Sequence, residues 1–211
     1  KNYNPINCSK TKIINLEEVR HLISSNNKNK KGIVFFSAHY GNWELGPIII
    51  KSLGLDPLCV YRKSNNKFVE LLIQNIRGKN ATYAPKGDVG AKKSYLWLRK
   101  GKSLALLMDQ KLNEGLSIDF LGKPANTASF IADIAIRMNL DIVPIKFSRD
   151  INNHNIITFY KKINMPKNNL SKNKKISFIL KQVNDVMSKW IKDQPENWLW
   201  IHRRWQKDLY L

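Results

Sequence analysis

Two rhythms of apolar positions alternate along the chain. Short runs dense in β-branched and aromatic residues recur at 32–37 (GIVFFS), 58–61, 103–108, 142–147 and 156–160. Polar or Gly-containing stretches bound them, and each reads as a strand. Between them apolar residues return every three or four positions. The clearest case is 174–192, where Ile176, Ile179, Leu180, Val183, Val186, Met187 and Trp190 share one face of a helix. Further helices are predicted over 16–25, 42–53, 66–77, 89–99 and 127–139. Alternation of this kind implies an α/β fold, a mixed and mostly parallel sheet flanked by helices. With no internal repeat, and with the Asn/Lys-rich stretch 167–175 read as a loop before the last long helix, residues 1–211 form one predicted domain.

Charge narrows the classes of partner. Thirty-six Lys and Arg against 16 Asp and Glu leave +20, so the chain attracts polyanions: nucleic acid, an anionic membrane or an acidic protein. No signature of an RNA-recognition motif, KH domain, zinc finger or helix-turn-helix appears, and nucleic acid is not an expected partner. The two cysteines, Cys8 and Cys59, lie far apart without a CxxC or Cys/His grouping, which predicts neither a disulfide framework nor a metal site. No apolar stretch reaches the ~20 residues that span a bilayer, and Lys51 interrupts the longest, 45–55. The sequence opens on Lys1 without a signal-peptide pattern.

The segment that carries chemistry is Ser37 to Glu44, SAHYGNWE, where an apolar strand ends and a helix begins. Ligands of α/β sheets bind at such strand ends. A tight bend across Gly41 is expected to bring the Glu44 carboxylate to one nitrogen of His39 and leave the other facing a substrate. That is the base and its orienting acid without a protein nucleophile, an arrangement suited to direct transfer, in which an acceptor hydroxyl gives its proton to His39 and attacks an activated acyl carbon. Ser37 lacks a G-x-S-x-G elbow and reads as a strand-end residue. Asp109 follows the 103–108 strand and is either a site residue at the same sheet edge or a turn former. Arg77, before Gly78, is either a helix C-terminal charge or a site residue. The oxyanion donors are Arg77 or backbone N–H groups after His39. Arg62 and Arg149, each after a strand, are candidates for phosphate contact. Trp198, Trp200 and Trp205, interleaved with basic residues, suit a membrane interface or packing against the domain.

HYGNWE resembles the His-x-x-x-x-Asp/Glu motif of the glycerolipid acyltransferase superfamily, in the form used by the late lauroyl and myristoyl acyltransferases of lipid A biosynthesis. Tyr61-Arg62, Arg77-Gly78, Pro85-Lys86-Gly87, Asp109-Gln110, Phe120 to Ala125 and the closing PENWLWIHRRW are similar, in order, to the family's later blocks. The resemblance implies transfer of a fatty acyl chain from acyl carrier protein to a hydroxyl of a lipid A precursor, at the cytoplasmic face of the bacterial inner membrane and against its anionic surface. It implies no metal or organic cofactor. By the motif His39 is the base and Glu44 its orienter, with Arg77 and Asp109 at charged positions around the site. Sister branches acylate other acceptors: phosphatidylinositol mannosides, amino-acid lipids or glycerophosphates. Members usually begin with a membrane-associated N-terminal helix, and none that long is offered here, which leaves an anchor outside the 211 residues open.

Overall fold

The computed structural model describes residues 4–78 and 80–210. Nine strands and six α-helices follow in the order β1 (Thr11–Ile14), α1 (Leu16–Lys28), β2 (Ile33–Ser37), α2 (Leu45–Ser52), β3 (Pro57–Tyr61), α3 (Lys67–Arg77), β4 (Thr82–Pro85), α4 (Asp88–Arg99), β5 (Ser103–Leu107), β6 (Leu116–Phe120), β7 (Lys123–Thr127), α5 (Phe130–Met138), β8 (Asp141–Arg149), β9 (Asn155–Phe159) and α6 (Lys172–Asp193). Seven strands form one sheet in the order β1-β9-β8-β2-β5-β3-β4, while β6 and β7 make a separate hairpin. Within the large sheet every pairing is parallel except β8 with β9, so the mixed, mostly parallel α/β architecture expected from the sequence is present.

The sheet has a core on each side, and β2 shows why. All five of its residues are buried, as parallel strands covered on both faces require. Alternate residues point to opposite faces: Val34 and Phe36 join α5 and α6 in one cluster, whereas Ile33 and Phe35 join α1 and α2 in the other. Trp190 of α6, 1% exposed, stacks on Phe36.

Four strands have no counterpart among the predicted elements. β1 and β4 are four residues long and only partly buried, too short for a periodic signal. β6 is mostly solvent-facing and β7 is half-buried, and they turn at Leu121 and Gly122, both at positive φ. Because β7 extends to Thr127, α5 starts at Phe130, later than the predicted 127. Likewise α2 starts at Leu45, and residues 42–44 form a turn.

Candidate active site

The parallel pairing of β2 with β5 aligns each residue with the one 70 positions later, as Ser37 with Leu107. Two residues past the ladder the same offset sets His39 beside Asp109. Imidazole Nδ1 lies 2.9 Å from Asp109 Oδ1, and the carboxyl's other oxygen accepts from the Trp198 indole Nε1 at 3.0 Å. Burial alone would raise the Asp109 carboxyl, whose side chain is 4% exposed. The hydrogen bond and charge of His39, with the Trp198 indole, hold it instead below the ordinary carboxylate range. An ionised Asp109 fixes the tautomer, since Nδ1 must carry the proton and donate it. Nε2 is then the basic nitrogen, and it has no hydrogen-bond partner among the described residues. Trp43 stands edge-on to the ring at 5.1 Å.

This corrects the expected pairing. Glu44 does not reach His39; its carboxylate accepts both forks of Arg77, Nε at 3.1 Å and Nη2 at 2.7 Å. The chain enters helix α2 directly after Glu44, and the turn across Gly41 directs the carboxylate toward α3, the source of Arg77. Burial opposes the Arg77 charge, yet the bond to Glu44 outweighs it and raises the guanidinium's pKa. The same guanidinium lies over the rings of Tyr83 and Tyr61, at 5.3 and 5.7 Å from their centroids. Arg77 is both a helix C-terminal residue and part of the site's wall.

The turn after His39 is held by the C-terminal segment. Leu199 N–H donates to the His39 carbonyl, Gly41 N–H donates to Asn197 O, and Tyr40 bridges Trp198. Gly41 has φ +56°, and any Cβ there would collide with the Phe147 carbonyl, so only glycine fits. Tyr40 N–H donates to Ala38 O; with Gly41 also committed, neither of these N–H groups is free for an oxyanion. Tyr40 itself points into the opposite core, its hydroxyl donating to the carbonyls of α6 and Gln194.

An apolar pocket of about 90 Å³ adjoins this centre through Trp43, which lines it and packs on the His39 ring; His39 and Asp109 are not among its lining residues. Its walls include Phe35, Ile50, Ala105, Leu107, Ile145 and Phe147, with Glu44 and Arg77 supplying the charge. Cys59 also lines it, and burial pushes its thiol up to about 12, which keeps it protonated and inert. Ser37 lines the pocket with its hydroxyl buried and unpartnered; no base touches it. A second groove runs from Glu44 and Arg77 between α2 and α3, past Pro47, Ile48, Ile73 and Ile76.

The remaining sequence candidates divide. Arg62 is exposed but close enough to Lys86 that, after burial, it is the next cause of that ammonium's lowered pKa, with Asp109 opposing. Lys86 donates to Gln110 Oε1 at 2.6 Å. Arg149 is exposed and donates to Asn153 in the β8–β9 turn; among the described residues no hydrogen bond joins it to His39, Asp109 or Arg77. Of the C-terminal aromatics, Trp198 and Trp205 pack on Phe120 and Trp200 stacks on Trp198, so packing is the dominant role. Trp200 is nonetheless 51% exposed. Arg204 is buried, donates to Asn126 O and Thr127 Oγ1, and is lowered to about 10 by burial against the opposing pull of Asp109. The sequence does not place Trp198 beside Asp109, because 89 residues separate them and no periodicity reports such a contact. Among the described residues no group of three or more His, Cys, Asp or Glu could hold a metal ion, and no helix is long and apolar enough to cross a membrane.

A comparison with curated proteins gives no match. Residues 8–207 match the family model described as bacterial lipid A biosynthesis acyltransferase.

Proposed function

The chain belongs to the bacterial lipid A biosynthesis acyltransferase family, and from that premise we propose that it moves a fatty acyl chain from an acyl carrier protein thioester to a hydroxyl of a lipid A precursor, at the cytoplasmic face of the inner membrane. The observation that carries the reading is the His39–Asp109 pair, set at a strand end beside an apolar pocket whose charged wall is Arg77 with Glu44.

In this mechanism Nε2 of His39 takes the proton of the acceptor hydroxyl. The oxygen attacks the thioester carbon and a C–O bond forms. Collapse of the tetrahedral intermediate breaks the C–S bond, and the imidazolium returns its proton to the departing thiolate. Asp109 holds the ring in the required tautomer and stabilises its positive form. Arg77 is the favoured oxyanion donor, since it lines the pocket and the N–H groups of Tyr40 and Gly41 are committed elsewhere. Glu44 positions the Arg77 fork. The apolar pocket receives the acyl chain, where each buried methylene contributes ~0.8 kcal/mol. Arg62 and Lys86 supply positive charge for the acceptor's phosphate or the acidic carrier. Arg149, bonded to Asn153 in the β8–β9 turn, is left to long-range attraction.

The test is a transfer assay with acyl carrier protein thioesters of several lengths, offering a lipid A precursor beside a glycerophosphate and an inositol mannoside. Acylation of the lipid A precursor, reduced by about 10²–10⁴ in His39→Ala, is expected. Transfer to another acceptor alone would move the chain to a sister activity, and transfer to none would refute the reading.

A further inference from the structure

Helix α3 is built inside out. The one residue it buries is Glu70, 3% exposed. Tyr61 OH and Ser64 N–H donate to that carboxylate and hold it below its ordinary range. Arg77, seven residues on, donates to Glu44, and the exposed Gln74 also donates to Glu70, so the positions turned toward the protein are Glu70, Ile73 and Arg77, two of them charged. The opposite stripe is apolar and faces water: Phe68 is 84% exposed, Leu72 58% and Ile76 74%, with Val69 and Leu71 alongside. A helix on a water-facing surface has the reverse arrangement, and contiguous exposed apolar area marks a docking site. The helix is well terminated, with the Asn66 side chain accepting from Phe68 N and Val69 N and Gly78 at positive φ after its last turn. The exposure belongs to a formed element.

We propose that α3 is the surface by which the protein docks on an anionic lipid bilayer, its apolar face entering the interface. Charge selects this occupant. Arg62, Lys63 and Lys67 precede and open the helix, while its single carboxylate is turned inward. A second copy of a chain carrying +20 would be repelled, whereas anionic headgroups gain from each lysine near the surface. The apolar strip is also continuous with the site: Ile76 and Ile73 line the groove that ends at Glu44 and Arg77. A docked α3 places that groove at headgroup level, so a lipid acceptor reaches His39 without leaving the membrane. This deepens the proposed function and rests on its reading of the acceptor as a membrane lipid.

Flotation of the 211-residue chain with phosphatidylglycerol-containing vesicles and with phosphatidylcholine vesicles tests it without any acyl transfer. The wild type should float with the anionic vesicles. The double variant Phe68→Ser, Leu72→Ser should bind at least about tenfold more weakly, keep its circular dichroism, and retain transfer to a detergent-dispersed acceptor while losing transfer to one held in vesicles. Lys67→Glu should also weaken binding to anionic vesicles. Undiminished binding by the double variant overturns the proposal, as does failure of the wild type to bind anionic vesicles. So does a wild-type dimer that the double variant dissociates. A protein that floats through α3 yet transfers no acyl group would refute the catalytic reading and leave the docking face standing.

Discussion

Two near-isosteric substitutions, Asp109→Asn and Glu44→Gln, decide which carboxylate works with His39. At position 109 the amide occupies the same buried space but has one acceptor oxygen where the carboxylate serves the imidazole Nδ1–H and the Trp198 indole. It also presents an N–H₂ to the ring, which favours the tautomer with its proton on Nε2, and that nitrogen is then no base. Loss of the charge further removes stabilisation of the imidazolium. Together these should lower kcat by about 10⁴, or roughly 5.5 kcal/mol at 1.36 kcal/mol per decade. Glu44 is different. Its side chain is 45% exposed and that of Arg77 24%, and a solvent-screened pair is worth about 1 kcal/mol, so Glu44→Gln should cost about tenfold or less through looser positioning of Arg77. Steady-state transfer kinetics on both variants, with the tautomer of His39 read from ring-nitrogen chemical shifts, make the comparison. If Glu44→Gln loses the larger factor while Asp109→Asn stays near wild type, Asp109 is not the working partner and Glu44 must reach the imidazole during turnover.

Three further outcomes follow from the same geometry. His39→Ala should reduce transfer by about 10²–10⁴ while the variant still folds, because the Trp198 indole remains on Asp109; wild-type turnover would refute the base assignment. Ala105→Leu, which fills part of the apolar pocket, should shift preference to a donor about two carbons shorter by roughly tenfold at ~0.8 kcal/mol per methylene, measured as relative kcat/KM across a thioester series. Asp109 has a folded pKa below its unfolded one, so its contribution to stability is complete above the ordinary carboxylate value near ~4 and is lost as pH falls through the folded value. Chemical denaturation below pH ~4 should therefore show a steeper loss in the wild type than in Asp109→Asn, and parallel curves would contradict it.

Most of the frame could be read from the sequence because its elements bury periodic faces. β2 and α6 announce themselves through runs such as IVFFS and the 176–190 stripe, and both occur close to the expected bounds. The hairpin β6–β7 escaped because Leu116, Ser117 and Asp119 face solvent and its turn depends on positive φ at Leu121, a conformation that leucine does not signal. In the site, the motif located His39 at a strand end, yet assigned its acid by proximity along the chain. Parallel strand pairing does not respect that proximity: the ladder register, invisible in one sequence, brings residue 109 to residue 39 and sends Glu44 to α3. Helix α3 was legible over 66–77, but which face turns inward was not, since Glu70, Ile73 and Arg77 share a helical period and leave Phe68, Leu72 and Ile76 outward.

The strap formed by Asn197, Trp198 and Leu199 has a consequence for the order of events during synthesis. Every strand and helix that supports His39 and Asp109 has been made by residue 193, but the backbone bonds that fix the His39 turn and the indole that completes Asp109 come later. A nascent chain can thus assemble its sheet, as domains generally do from the N-terminal side, while its imidazole is still unfixed. The His39 turn is fixed only once residues 197–199 have left the ribosome and closed over it, so until then the imidazole lacks the backbone bonds and the indole that hold the pair in place.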